Sequence, residues 1–398
     1  MTVRRVAFFN PIFAHYRTAL LRELRASTRH EFHFFGDTED RHSRIPVATM
    51  PPGARFTRVP CLRFLKVFTW QWGTIRPTLF GDFDAFILEG DAYYLSSWLG
   101  ALLVRIRRRR LLFWSHGWTR EDRGLKGLIR KAFYHLADGL LLYGDRARAI
   151  GLAEGFRAEC LYVMYNSLDY DQQREYAESV SPAEVAALRS QLFGPQPVPV
   201  VIATARLTDK KRFDLLIRAL GLINRSGRRV DLLLVGDGPA RRGLEQLAAS
   251  EQVHVVFVGS CYDERRLAAL YSCASVTGSP GEIGLTCMHS LGYGVPVVTH
   301  SDPALQMPEW EAIVPGETGD LFLPGDVNDL ASKLDRWTRQ PGVAQQTRLA
   351  CQRRIAQRYN ARAQARAIEV ALEGLPASVA PTSMNATAGA DPTGMRAE

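Results

Sequence analysis

Short apolar runs alternate with amphipathic stretches of helical period along most of this chain, and that alternation leaves few folds open. A buried parallel strand reads as a brief continuous apolar run, and the crossover to the next parallel strand requires a helix. Strand-like runs fall at Val6–Phe9, Glu31–Phe35, Phe86–Leu88, Leu111–Trp114, Leu140–Tyr143 and Cys160–Met164. A second series follows at Val198–Ala203, Asp231–Val235, Val253–Phe257, Ala274–Gly278 and Val297–Thr299. Two such series in 398 residues predict two α/β domains with a core each. The polar stretch Ser167–Ser190 and the Pro-rich connector Gly194–Pro199 separate them. The expected division is a first domain over 1–170, a linker over 171–197, a second domain over 198–358 and a terminal helix over 359–375. That helix ends a longer helical pattern, Val343 to Gly374. Residues 376–398 are poor in large apolar side chains, cannot offset the entropy of ordering, and are expected to be a disordered tail.

Composition narrows the class. Hydrophobic content of 46% and charged content of 23% suit a soluble globular protein. Ser96, Ser97 and Arg105 interrupt the longest apolar run, so no transmembrane helix is expected. The opening MTVRRVAFFNPIFA has the charged-then-apolar look of a signal peptide but reads better as a first parallel strand. Six cysteines, with no C-x-x-C pair, fit free thiols in a reducing cytosol. The net charge of +9 favours an anionic substrate or a polyanionic surface.

The second half carries the motifs. Ser279–Val298, SPGEIGLTCMHSLGYGVPVV, places glycines around a helix start and then turns through Gly294-Val295-Pro296 into a strand. Such a junction lets a charged oxygen approach backbone N–H groups at the favourable end of the helix dipole. Upstream, Ala203–Leu220 reads strand, loop with Arg206 and Lys211, then amphipathic helix. Leu232–Pro239 is a strand entering a Gly236-Asp237-Gly238 turn, and Val253–Gly259 is a strand ending at Val258-Gly259. In this order and spacing, ARLTDKK, VGDGP, VFVG, SPGEIGL and GVPVV resemble the donor-binding half of GT-B glycosyltransferases of the GT4-like group. The resemblance implies an α/β GT-B architecture, two Rossmann-like domains facing a central cleft, with the C-terminal helix crossing back to the first domain. It implies Arg206 and Lys211 as fixed cations that stabilise a departing diphosphate, with no cofactor and no metal. Gly236, Gly238, Val258, Gly281, Gly284 and Leu285 would contact the donor, a nucleoside-diphosphate sugar.

The resemblance includes a departure. The family pattern E-G-F-G-L-x-x-x-E places a glutamate near the sugar and another on the ribose. Alignment on Gly284-Leu285 puts Gly281 and His289 at those positions, with Glu282 one residue late. Glu282 is retained as a catalytic candidate and His289 as a donor-binding one. Glu309 or Glu311, before the Gly316–Gly319 turn, is the candidate to supply the missing ribose acceptor.

In the first domain, His116 ends a strand in LLFWSHGW, where the family resemblance implies a residue facing the donor sugar. His15 and Arg17 follow the first strand and Glu89 and Asp91 the third clear one; all four are acceptor-side candidates. The basic run Arg105–Arg110 and the segment Gly124–Leu136 read as basic amphipathic surfaces, with an anionic membrane as the expected partner. No nucleic-acid recognition motif accompanies the charge. The expected activity is retaining transfer of a hexosyl group to a hydroxyl of a saccharide or lipid-linked saccharide. It would occur in the cytoplasm or at the inner face of the membrane, in synthesis of cell-surface polysaccharide or glycoconjugate. A nucleotide-sugar epimerase of the same fold and a non-catalytic nucleotide-sugar binding subunit are the alternatives.

Overall fold

The computed structural model describes residues 3–39, 46–65, 67–120, 124–339 and 341–376. The first domain is built on β1 (Arg4–Ile12), β2 (His30–Asp37), β3 (Arg55–Arg58), a β4 (Cys61–Phe64) to β5 (Phe68–Gln71) hairpin, β6 (Ala85–Glu89), β7 (Arg110–Ser115), β8 (Gly139–Leu142) and β9 (Leu161–Val163). Apart from the antiparallel hairpin these strands form one parallel sheet, in the order β3-β2-β1-β6-β7-β8-β9. The second domain contains β10 (Val200–Thr204), β11 (Asp231–Val235), β12 (Val255–Gly259), β13 (Val276–Ser279), β14 (Val297–His300) and β15 (Gly319–Phe322). Its parallel sheet runs β12-β11-β10-β13-β14-β15. Both orders are doubly wound, and both reverse direction beside the first strand of the domain, where such folds leave a crevice at the carboxyl strand ends.

The apolar runs read from sequence all lie on these strands, with ends displaced by up to three residues. The sequence pattern passed over β3, the β4–β5 hairpin and β15. These are short, and β3 and the hairpin are largely solvent-facing, so they lack a continuous apolar run. Crossover helices pack by one face. On Phe213–Arg225, the residues Phe213, Leu216, Ile217, Leu220 and Ile223 recur at helical spacing and are buried.

The linker stretch 171–197 contains two helices. Asp169 caps Tyr170–Ser179 through the Gln172 amide, and Ser181 caps Pro182–Phe193 with proline in the first turn. The terminal pattern Val343–Gly374 is also two helices, Gln345–Arg358 and Ala361–Glu373, divided where Asn360 caps the second by accepting from the Ala363 amide. The second of these lies on the first domain: Ile368, Ala371 and Leu372 are buried in one core with Leu20, Leu21 and Leu24. Arg29 pairs with Glu373 at 2.7 Å.

The basic run is also engaged within the first domain. Arg105 pairs with Asp138 at 2.6 Å, Arg107 donates to the carbonyls of Thr78 and Gly81 at 2.9 and 2.7 Å, and Arg109 lies 3.3 Å from Asp84. Arg110 donates to the Ala371 carbonyl at 2.8 Å. Arg107 and Arg110 thus satisfy backbone carbonyls and Arg105 and Arg109 pair with aspartates, which fastens this end of the first domain. Among the described residues no helix is long and apolar enough to cross a membrane. The expected tail beyond 376 lies outside the described residues.

Candidate active site

A cavity of about 980 Å³ opens between the two domains at the carboxyl ends of the strands. Its second-domain wall is made by Thr204, Ala205 and Arg206 after β10, Val235, Gly236 and Asp237 after β11, Ser260, Cys261, Tyr262 and Glu264 after β12, and Leu285, Thr286 and His289 of the helix Leu285–Gly292. Facing them are His15, Tyr16 and Arg22, with Asp169, Gln172 and Gln173. Asp169 is committed to Arg22 at 2.5 Å.

Local backbone geometry explains this wall. Gly236 has φ +143°, and a Cβ there would lie 2.0 Å from the Ala205 carbonyl oxygen, so only glycine lets the two strand-end loops touch. Ala205 and Leu207 donate their amides to Val235 and Asp237 at 3.1 and 3.0 Å, which clamps the loop and leaves Arg206 exposed over the cavity. Gly284 precedes the helix Leu285–Gly292, whose first-turn amides lack intrahelical partners.

The departure at position 281 has a steric cause. A Cβ on Gly281 would lie 2.1 Å from the Lys210 carbonyl oxygen, because the Gly281 amide is drawn onto the Lys211 carbonyl at 3.1 Å. No side chain fits there. Glu282 carries the carboxylate instead: Lys211 donates to the Glu282 carbonyl at 2.9 Å and lies 3.7 Å from its carboxylate. Burial lowers the Lys211 pKa, and Glu282 opposes that shift. Lys211, Glu282, Gly281 and Gly284 therefore form a shell next to the cavity lining, and Arg206 reaches the lining itself.

The two expected ribose partners reach across to the first domain. Glu309 is buried and accepts from Asn166 Nδ2 at 2.7 Å, with burial raising its pKa. Glu311 accepts from the amides of Asp145 and Arg146 at 2.6 and 3.0 Å, at the N-terminus of the helix Asp145–Ala153. Both carboxylates tie the second domain to the first, and neither lines the cavity. Val258, on β12, is half-buried against the core and is replaced at the cavity by Ser260–Tyr262, while Gly238 lies against the Leu207 backbone.

His289 lines the cavity, and burial lowers its pKa while Glu264 opposes that shift. Gln173 Nε2 donates to its Nδ1 at 3.1 Å. Beside it stands a residue that sequence reasoning missed. Glu264 Oε2 accepts from the Tyr293 hydroxyl at 2.6 Å and lies 3.6 Å from His289 Nδ1. No sequence motif marks Glu264, which reads as an ordinary first-turn helix glutamate after the Asp263 cap.

Of the first-domain candidates, His15 lines the cavity, while Arg17 and Glu89 are half-buried and Asp91 and His116 are exposed, all four outside that lining. Arg17 donates to the Tyr143 hydroxyl, and its guanidinium lies 4.8 Å from the Trp114 ring centroid. His116 packs against Tyr143 at 4.6 Å, and the surrounding protein, aided by Arg17, holds its pKa down to about 4. Burial, with Asp91 nearby, pushes Glu89 up to about 8.

Residues 198–340 match the family model described as glycosyl transferases group 1. The chain is 30% identical over 164 residues to the sulfoquinovosyl transferase SQD2 of Arabidopsis thaliana, covering 38% of this chain and 30% of that protein. It is 24% identical over 257 residues to the alpha-D-kanosaminyltransferase of Streptomyces kanamyceticus, covering 63% and 64%. The chain thus spans less than two thirds of either relative. The fold is shared with the crystal structure of Anabaena HepE in complex with UDP, at TM-score 0.64 and 18% identity, over 94% of this chain and 100% of that one.

Proposed function

We propose that this chain, whose residues 198–340 match the group 1 glycosyl transferases and whose fold is GT-B, transfers a sugar from a nucleoside-diphosphate sugar to a hydroxyl acceptor. One observation carries the reading. The interdomain cavity brings an exposed Arg206, the Gly236 turn and a helix N-terminus together on the second domain, opposite His15, Tyr16 and Arg22 of the first.

In this reading the diphosphate lies against Arg206 and the start of the helix Leu285–Gly292, with Lys211 as a second cation. As the bond from the anomeric carbon to the phosphate oxygen breaks, charge grows on the leaving diphosphate, and the fixed cations stabilise it. The acceptor oxygen bonds to the anomeric carbon, and its proton passes to the departing phosphate oxygen. Attack from the leaving-group side retains configuration. A neutral His116 pushed down to about 4 does not supply a cation there at neutral pH. We assign a saccharide or lipid-linked saccharide as acceptor, in glycoconjugate synthesis.

An exposed apolar and basic face on the first domain supports the lipid-linked form. On the helix Gly124–Tyr134, Leu125, Leu128 and Ile129 are exposed beside the exposed Lys126, and Ile106 and Phe80 are exposed elsewhere on the same domain. Exposed apolar and basic side chains together suit an anionic bilayer.

Incubation with a panel of nucleotide sugars, with and without saccharide acceptors, tests the reaction by mass spectrometry. A glycoside formed only with acceptor is expected. An altered sugar without acceptor would indicate epimerisation, and binding without turnover a non-catalytic subunit.

A further inference from the structure

Three carboxylates line the cavity, and two of them are occupied. Asp169 is paired with Arg22 and caps its own helix. Asp237 is exposed, accepts from the Gly238 amide at 2.8 Å and lies 3.9 Å from Arg241. Glu264 differs from both. Its Oε2 is fixed by the Tyr293 hydroxyl at 2.6 Å, no arginine or lysine pairs with it among the described residues, and no hydrogen bond to its Oε1 is found there. Tyr293 is itself held: it is buried and stacked on Tyr271 at 5.3 Å between ring centroids. A cavity-lining carboxylate held by one oxygen is suited to receive hydroxyl donors on the other.

His289 cannot do the same work. Its Nδ1 accepts from Gln173, which leaves one ring nitrogen for a ligand. One nitrogen makes one hydrogen bond, whereas an ionised carboxylate accepts several. Glu264 and His289 stand side by side, between the Ser260–Tyr262 loop and the Arg206 end of the cavity. In doubly wound nucleotide sites an acidic side chain accepts from the ribose hydroxyls.

We propose that Glu264 is the ribose-recognising residue of this site, its carboxylate accepting from the vicinal hydroxyls of the bound nucleotide, with Tyr293 as the positioning residue and His289 as its neighbour. The inference rests on the nucleotide-sugar reading of the cavity. It also assigns a cause to His289. A glutamate at position 289 would put a second carboxylate beside Glu264, and two like charges that close disfavour each other. The acceptor has therefore moved from the helix Leu285–Gly292 to the helix Glu264–Ser272.

Calorimetric titration of the full chain with UDP, GDP and ADP, each against its 2′-deoxy and 3′-deoxy counterparts, tests the assignment. At least one ribonucleotide should bind the wild type about tenfold more tightly than its deoxy forms, the scale of one good hydrogen bond. In Glu264→Gln that ratio should fall to about one to two, since the near-isosteric amide is a weaker acceptor. His289→Glu alone should weaken ribonucleotide binding, and adding it to Glu264→Gln should restore the ratio, which a structural role for Glu264 would not produce. A ribose preference that survives in Glu264→Gln, or a double variant without recovery, would overturn the inference and leave the nucleotide reading standing. Binding of none of the three diphosphates by the wild type would overturn both.

Discussion

Strands β10 and β1 hold the same central place in their sheets, but their carboxyl ends handle charge in opposite ways. After β10 the chain is clamped to the next loop through backbone hydrogen bonds, which leaves the Arg206 side chain exposed to the cavity. After β1 the chain turns inward. Phe13 packs edge-on against Phe8 at 5.3 Å, Gln71 donates to the Asn10 carbonyl at 3.0 Å, and Arg17 folds beneath Trp114 and Tyr143. One domain builds its wall from backbone turns that present a cation. The other builds its wall from aromatic packing that shields charge. Backbone turns constrain residue type tightly, and aromatic packing tolerates many solutions.

The sharpest break in that comparison would come at Gly281. Gly281→Ala places a methyl 2.1 Å from a backbone oxygen, so the loop that Lys211 fastens must shift. Thermal denaturation should show a loss of about 1–3 kcal/mol from overpacking, and turnover should fall below detection. A variant with normal Tm and turnover would show that the loop is not rigid.

Arg206→Ala should lower turnover by about a hundredfold or more with the fold intact, the cost of removing one charge partner of the developing diphosphate. Arg17→Ala should instead show itself first as lost stability, because that guanidinium is packed under aromatic rings. Equal kinetic losses without destabilisation in both variants would erase the distinction between the two walls.

The buried first-domain wall also predicts a pH dependence. Glu89 has its pKa pushed from 4.5 to about 8, so between those values the folded state binds a proton that the unfolded state has released. Its contribution to stability is therefore largest at low pH and declines as pH rises toward 8. The wild-type Tm should fall more steeply between pH 5 and pH 8.5 than that of Glu89→Gln. Parallel pH profiles would place Glu89 in contact with solvent.

The smallest effect is expected at the outer face. Leu128→Ser with Ile129→Ser should reduce co-sedimentation with vesicles containing phosphatidylglycerol by several-fold, and added salt should weaken wild-type binding. Replacement of Arg107 should act through stability, since that arginine is bound to the Thr78 and Gly81 carbonyls. Equal vesicle binding by the wild type and the double variant would remove the membrane from the account.

The contrast between walls also explains what could be read from sequence. The alternating apolar runs disclosed both sheets because buried parallel strands need continuous apolar segments. Arg206, Gly236 and Leu285 were legible because turn and helix-start geometry restricts what can stand there. Gly281 was visible as an oddity, but its cause, the Lys210 carbonyl, comes from a loop about seventy residues earlier in the chain. Glu264 was hidden for the same kind of reason. Its role depends on Tyr293 and His289, which only the fold brings beside it. Glu309 and Glu311 show the converse, since acidic residues in a plausible place proved to be interdomain ties.

Hydrogen exchange with a saturating nucleoside diphosphate tests most directly the claim that the second domain holds the donor. Protection should concentrate on the amides of 204–207, 236–238, 260–264 and 284–289, with little change along β1 and β7. Protection confined to the first domain, or none in those four segments, would contradict the account.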